Sequence, residues 1–439
     1  MPEPRGTHTM HVDDLILVSV DDHVVEPPDL FEGRLAKKHA ERAPKLIRKD
    51  DGTDVWSFLG QELPNIGLNA VAGRPREEYA MDPQSFDDMR PGAYDIDLRI
   101  KEMDANGLLG SMCFPSFPQF TGQLFARTAE QDAELALALV QAYNDWHIDG
   151  WCGKYPGRFI PLAIPPLWDP ELIAAELERV AEKGCHAMTF SENVSYLGHP
   201  SIHSDHWDPA FRTAEELGTV LCAHIGSSSR IVLTADDAPM DVLITLSPMN
   251  IVQAAGDIVW SPATKKFPNL KFALSEGGIG WVPYFRERVD STYVKHRYWT
   301  GQDLGDRIPS QVFDEQVVLC FIEDPTGLKN LDDMNVDMVC WECDYPHADS
   351  TWPMSPETFL KEVEPANLDD ATIDKISHEN AMRIFQYDPF SVMPREECTV
   401  GALRNNAADW DVSIQSRGIK ASATGALDLA KMSGTHQDE

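Results

Sequence analysis

The chain has 439 residues, 71 Asp and Glu against 37 Lys and Arg, and a formal net charge of −34. With 43% hydrophobic and 9% aromatic residues it can bury a large core, which excludes global disorder. The acidic balance excludes nucleic acid and anionic membrane as partners, because both are bound through basic patches.

From the N-terminus, MPEPRGTHTMHVDD lacks an apolar h-region, so no secretory signal is expected. No 18-residue apolar run is read, so no membrane span is expected. Short apolar runs then recur: Leu15–Val20, Leu108–Phe114, Phe159–Ile164, His186–Phe190, Thr219–His224, Lys271–Ser275, Val317–Ile322 and Met338–Trp341. Near-continuous apolar runs of this length predict parallel strands buried on both faces. Helix signals lie between them. Asp169-Pro170 opens a stretch with Leu172, Ile173, Leu177 and Val180 at helical spacing, and Gly184 closes it. Asp208-Pro209 opens another, closed by Gly218, and a last helix is predicted over Asp370–Phe385. Eight such repeats predict a (β/α)8 TIM barrel, with a doubly wound open sheet as the alternative.

Two segments fall outside the repeat. Residues 27–95, rich in Pro, Gly and charge, form a long insertion after the first strand and are expected to lie over the barrel mouth as a lid. The barrel is expected to occupy residues 1–393, and residues 394–439 to form a C-terminal arm or tail. The eight cysteines are scattered through apolar runs, as in Leu221-Cys222-Ala223, and read as buried thiols of a cytoplasmic protein. Cys340 and Cys343 have C-x-x-C spacing, but their surroundings read as a strand end.

In a barrel of this kind chemistry collects at the C-terminal ends of the strands. The first strand ends in Asp21-Asp22-His23, and Asp21 and His23, two apart, share a face. The fifth ends in His224, the sixth in Glu276-Gly277-Gly278, and the eighth in Asp344-Tyr345-Pro346-His347. A strand-end His or Asp alone is usually structural. Together, Asp21, His23, His224 and Asp344 offer oxygen and imidazole donors suited to Zn²⁺, Mn²⁺ or Fe²⁺. No G-x-S-x-G elbow, P-loop or dinucleotide fingerprint is present. Further candidates are the loop His203, Asp205, His206 and Trp207, the aromatic residues Trp281 and Trp352 as pocket walls, and Arg230 as a carboxylate partner. For each, capping, packing or plain surface is the competing reading.

The pieces VDDHVVEPPDLF (20–31), KEMDANG (101–107), CFPSFP (113–118), LCAHIG (221–226), SEGGIGWVP (275–283), CDYPHADSTWP (343–353) and HENAMRIF (378–385) resemble the amidohydrolase superfamily. The resemblance is to the amidohydrolase-related branch that includes aminocarboxymuconate-semialdehyde decarboxylase, and it spans about residues 15–390. It implies that Asp21-x-His23 stands for the family's first-strand H-x-H metal motif. It also makes His224 the fifth-strand metal histidine and Asp344 the eighth-strand metal and catalytic aspartate. Where decarboxylases of the branch often carry a histidine, this chain has Glu276.

The expected activity is that of a metal-dependent hydrolase or decarboxylase acting on a small carboxylate-bearing or aromatic substrate. Asp344, Glu276 and His347 are the catalytic candidates. One divalent metal is expected. A second reading, with Glu26, Glu276 and His347 added to the first four ligands, holds two metals in a dinuclear Fe/Mn oxygenase, an arrangement that a few relatives of the branch resemble. A third makes the chain the metal-binding partner subunit of a related chain. A homo-oligomer is the expected assembly, and a hetero-oligomer with a related chain is the alternative.

Overall fold

A computed structural model describes residues 9–80, 83–230, 232, 234–235 and 237–418. Strand β1 (Val18–Val24) is followed by β2 (Lys45–Arg48), β3 (Asp54–Phe58) and β4 (Gln61–Leu63), and then by β5 (Gly110–Pro115), β6 (Phe159–Ile160), β7 (Ala187–Ser191) and β8 (Val220–His224). The last three are β9 (Lys271–Ser275), β10 (Val317–Phe321) and β11 (Val339–Trp341). β1, β5 and β6 pair in parallel, as do β7 through β11 in chain order. A parallel bridge between Ala163 and Met188 joins these two sheets on one side. On the other side, the Asp344 N–H donates to the Asp21 carbonyl (2.8 Å) and the His23 N–H to the Tyr345 carbonyl (2.7 Å). The eight parallel strands and their intervening helices form the expected barrel. The third strand is shorter than its apolar run because Pro161, with no N–H, cannot continue the ladder.

Inward-facing Val18, Val20, Met112, Phe114, Ile160, Val220, Cys222, Ala273, Val318, Cys320 and Cys340 fill the barrel as one cluster. A second cluster packs the outer strand faces against the helices. All eight cysteines are buried and unpaired. The Asp169 carboxylate accepts the Glu171 N–H (2.9 Å) at the start of helix Pro170–Ala181, as predicted. Asp208 instead becomes the first residue of its helix and pairs with Lys266 at 2.8 Å.

The insertion builds its own antiparallel sheet, β2–β3–β4. Buried Trp56 of β3 stacks on Phe117, ring centroids 4.4 Å apart. Two main-chain hydrogen bonds tie the insertion to the segments after β1 and β11: the Val25 N–H donates to Ala93 O, and the Ala72 N–H to Pro346 O, both at 2.9 Å. Past residue 394 the chain stays on the barrel. Cys398, Val400 and Leu403 are buried, the Val400 N–H donates to Leu15 O (2.8 Å), and the Gln415 N–H donates to Gly73 O (2.9 Å). Residues 419–439 lie outside the described residues. One expectation needs correction. Met240–Trp260 does reach the length and apolar content of a membrane span. It forms two helices, Met240–Leu246 and Met249–Trp260, and the second buries Ile251, Ala254, Ala255, Ile258 and Val259 against the barrel.

Candidate active site

Two departures from strand regularity aim the site residues. In β1 the pairing with β5 shifts by one residue between Ser19 and Asp22. Without that bulge, simple alternation from inward Val18 and Val20 would turn Asp22 inward. With it, His23 lies in register with inward Phe114, and Asp22 with outward Cys113. Asp21 and His23 therefore face the axis. In β9, Ser275 is in register with inward His224, so alternation would send the next residue outward. Glu276 adopts a left-handed backbone, φ +59°, and its carboxylate comes to 3.4 Å from His224 Nε2. Asp344 is left-handed too, φ +60°. Such conformations are uncommon for residues other than glycine and cluster at functional sites.

The structure brings six of the expected residues together. His23 Nε2 is 3.5 Å from Asp21 Oδ1 and 3.3 Å from Asp344 Oδ1. His224 Nε2 is 3.2 Å from Asp21 Oδ2. His347 stacks on His23 with ring centroids 3.6 Å apart, and its Nδ1 is 3.0 Å from Asp344 Oδ1. The His224 Nδ1–H donates to the Ile225 carbonyl at 2.6 Å, which turns the Nε2 lone pair into the cluster. Phe114 and Phe120 lie against the His224 ring, at 4.9 and 4.3 Å between centroids.

Burial dominates the electrostatics. It pushes the Asp21 carboxyl well above the usual range, and neighbouring Asp344 and Asp22 push it further. It likewise raises Asp344 and, with help from Asp344 and Asp21, Glu276. It drives the His23 imidazole well below its ordinary value, assisted by His347 and His224, and lowers His347 to about 3. Carboxylates packed this closely repel one another unless a cation or a proton lies among them.

The residues present fit a divalent cation. Both oxygens of Asp21 and of Asp344, together with Nε2 of His23 and of His224, have no hydrogen-bond partner within the protein. Ligands bound at ~2.0–2.2 Å stand about 3–3.5 Å from one another. The pairwise separations of 3.2–3.5 Å have that spacing, and the donors fall into two overlapping groups, Asp21/His23/His224 and His23/Asp344/His347, that share His23.

Glu26, expected as a further ligand, is not in the cluster. Its Oε1 accepts the Ser116 N–H and the Tyr143 hydroxyl, both at 3.0 Å, and its Oε2 accepts the Phe117 N–H at 2.8 Å. With both oxygens engaged it is the anchor of the loop after β5. The other sequence candidates lie outside the cluster and have partners within the protein. His203 pairs with Asp257 (3.2 Å) and Asp205 with Lys266 (2.5 Å). His206 lies edge-on to Trp207, which is buried and donates to Pro200 O. Arg230 donates to Tyr196 Oη and Gln253 Oε1. The Trp281 indole N–H bonds the Gly277 and Gly278 carbonyls, and Trp352 packs under Arg90 and donates to Glu102 O.

Two residues were missed. Glu342 is fully buried, and its two oxygens accept the Glu276 N–H at 3.2 Å, holding the left-handed residue in place. Its position two residues before Asp344, on the same strand face, was the available signal. Asp324 is the other: its Oδ2 accepts the Ile279 and Gly280 N–H groups (2.7 and 2.6 Å) and pins the glycine-rich turn after Glu276. Nothing in the local sequence pointed to it.

The amidohydrolase family profile matches residues 39–386. Among solved structures, an amidohydrolase from Mycobacterium avium subsp. paratuberculosis K-10 is 21% identical, with a TM-score of 0.65 over 84% of this chain and 99% of that one. A 2,6-dihydroxybenzoate decarboxylase from Rhizobium is 18% identical, with a TM-score of 0.55 over 84% of this chain and 98% of that one. A dihydroxybenzoic acid decarboxylase from Polaromonas sp. JS666, solved with manganese and 2-nitroresorcinol, is 22% identical, with a TM-score of 0.53 over 70% of this chain and 90% of that one.

Proposed function

The chain belongs to the amidohydrolase family, and from that premise we propose a metal-dependent carboxy-lyase or hydrolase whose substrate is a small aromatic or carboxylate-bearing molecule. The observation that carries the proposal is the meeting at His23 of two buried donor groups, Asp21/His23/His224 and His23/Asp344/His347, with Glu276 beside His224. The aromatic acids turned over by the structural neighbours, and Phe114 and Phe120 beside His224, support an aromatic substrate.

Asp21, His23, His224 and Asp344 would hold the cation. When bound, a divalent metal lowers the pKa of a coordinated water toward ~7 or polarises a substrate carboxylate. The chain's own residues handle the protons. Asp21, His23 and Asp344 have side chains with 0% exposure, whereas Glu276 shows 14% and His347 6%. A proton exchanged with a substrate passes most directly through the two that reach the mouth. Glu276 Oε2 gives a proton to the substrate carbon whose bond to the departing CO₂ breaks, or takes one from the attacking water in hydrolysis. His347, stacked on His23 with its Nδ1 3.0 Å from Asp344 Oδ1, is the second group beside the cluster. Phe114 and Phe120 exclude water on the His224 side. Glu276 thus takes the acid/base place that a histidine often fills in the decarboxylases.

The dinuclear oxygenase reading loses support because Glu26, which it needs as a ligand, is engaged elsewhere.

The test is turnover by manganese-loaded protein on two panels: hydroxybenzoates and related acids followed by CO₂ release, and esters, lactones and amides followed by acid release. Turnover of one panel, abolished by Asp344→Asn, is the expected result. Metal-loaded protein inert on both panels would overturn the proposal.

A further inference from the structure

The barrel wall is weakest where its chemistry is concentrated. Between β1 and β11, whose ends carry Asp21, His23 and Asp344, no strand ladder forms among the described residues. The two backbone hydrogen bonds described above and one from the Cys343 N–H to Ser19 Oγ (2.8 Å) span the gap. Beneath it lies a fully buried arginine from the helix Ile96–Asn106. Arg99 Nη2 donates to the carbonyl of His23 at 3.0 Å and reaches that of Tyr345 at 3.5 Å. Nη1 donates to Gly92 O in the insertion at 3.3 Å, and the guanidinium lies 4.5 Å above the Tyr345 ring. Its charge interacts through space with the carboxylate of Asp22, the residue the bulge turns outward. Asp22 in turn accepts the Tyr345 N–H at 2.9 Å and the Ser111 hydroxyl.

We propose that Arg99 and Asp22 form a brace that positions the two metal-bearing strand ends across this seam. Arg99 touches neither substrate nor metal. It acts through the main chain of His23 and of Tyr345, the neighbour of Asp344, whose N–H, carbonyl and ring are all held by the pair. The planar fork of a guanidinium bonds several carbonyls at once, which a lysine ammonium on a flexible stem does not reproduce. Partners lying one shell behind metal ligands typically change metal affinity by about 10- to 100-fold. The brace rests on the reading that Asp21, His23, His224 and Asp344 hold a cation. It is independent of which reaction follows.

The experiment titrates Mn²⁺ into four metal-free proteins: wild type, Arg99→Lys, the double variant Arg99→Met with Asp22→Asn, and Leu177→Ala. Leu177 is buried in the helix Pro170–Ala181, outside the seam, and serves as a control for lost stability. Metal-free Tm and the EPR spectrum of bound Mn²⁺ are recorded for each. The brace requires Mn²⁺ affinity to fall about tenfold or more in Arg99→Lys and in the charge-free double variant, with an altered EPR line shape. Leu177→Ala should lose Tm and keep both affinity and spectrum. If Arg99→Lys does not fold, the double variant, which leaves no buried charge unpaired, decides. Wild-type affinity and spectrum in both Arg99 variants overturn the brace, as does an equal affinity loss in Leu177→Ala. A wild type that binds no manganese overturns the metal reading first and the brace with it.

Discussion

Glu26, just past β1, and Glu276, at the end of β9, are both glutamates near the C-terminal end of the barrel. In both, burial holds the carboxyl above its ordinary range. They differ in what faces them. Glu26 meets two backbone N–H groups and a tyrosine hydroxyl, so its oxygens are used within the fold. The Glu276 carboxylate meets an imidazole nitrogen and other carboxylates, and it keeps part of its surface at the mouth. Burial alone does not distinguish an anchor from a reactive group. The donors around the carboxylate do, because a group already saturated with hydrogen bonds has nothing left to offer a metal or a substrate.

Substitutions test this contrast, and the largest effect is expected outside the pair. Asp344→Asn removes a proposed cation ligand and should lower kcat/KM on the order of a thousandfold or more, measured on whichever panel the wild type turns over. Glu276→Gln should follow, with kcat reduced about 100- to 10,000-fold and Mn²⁺ retained. A variant with near-wild-type kcat would erase the distinction between the two glutamates.

Glu26→Gln should keep metal and turnover and change stability instead. The Glu26 carboxyl is pushed up to about 7 from an ordinary 4.5. Between those values the folded state binds more protons than the unfolded one, so this group's contribution to unfolding free energy falls as pH rises and levels off above about 7. Relative to wild type, Glu26→Gln should therefore gain at most about 3 kcal/mol between pH 4.5 and 8, read by denaturant melts at both pH values. A loss of metal in this variant would break the comparison. The smallest effect is expected for Arg230→Ala, since the guanidinium is held by Tyr196 and Gln253. Its kcat/KM should change less than about twofold, as for a surface substitution.

All eight barrel strands were legible because strands covered on both faces need unbroken apolar runs, and those runs are in the sequence. Their ends were less so. The apolar run Leu15–Val20 marks the first strand, whose paired part spans Val18–Val24 and so includes the polar, fully buried Asp21, Asp22 and His23 read at its end. The residues proposed to hold the cation were legible from their positions at strand ends. The bulge and the left-handed Glu276 were not, since both depend on pairing with neighbouring strands. The sheet inside the insertion was hidden by its short, mixed-polarity strands, Lys45–Arg48 and Gln61–Leu63. Trp281 and Trp352 flank site motifs, and the sequence does not show that their indole N–H groups bond backbone carbonyls, which depends on the folded turns.

The most direct test is elemental analysis of protein purified without chelator, wild type beside Asp344→Asn. One transition metal ion per wild-type chain, and markedly less in the variant, is the result the site requires. A metal-free wild type, or the same metal content in both proteins, would contradict it.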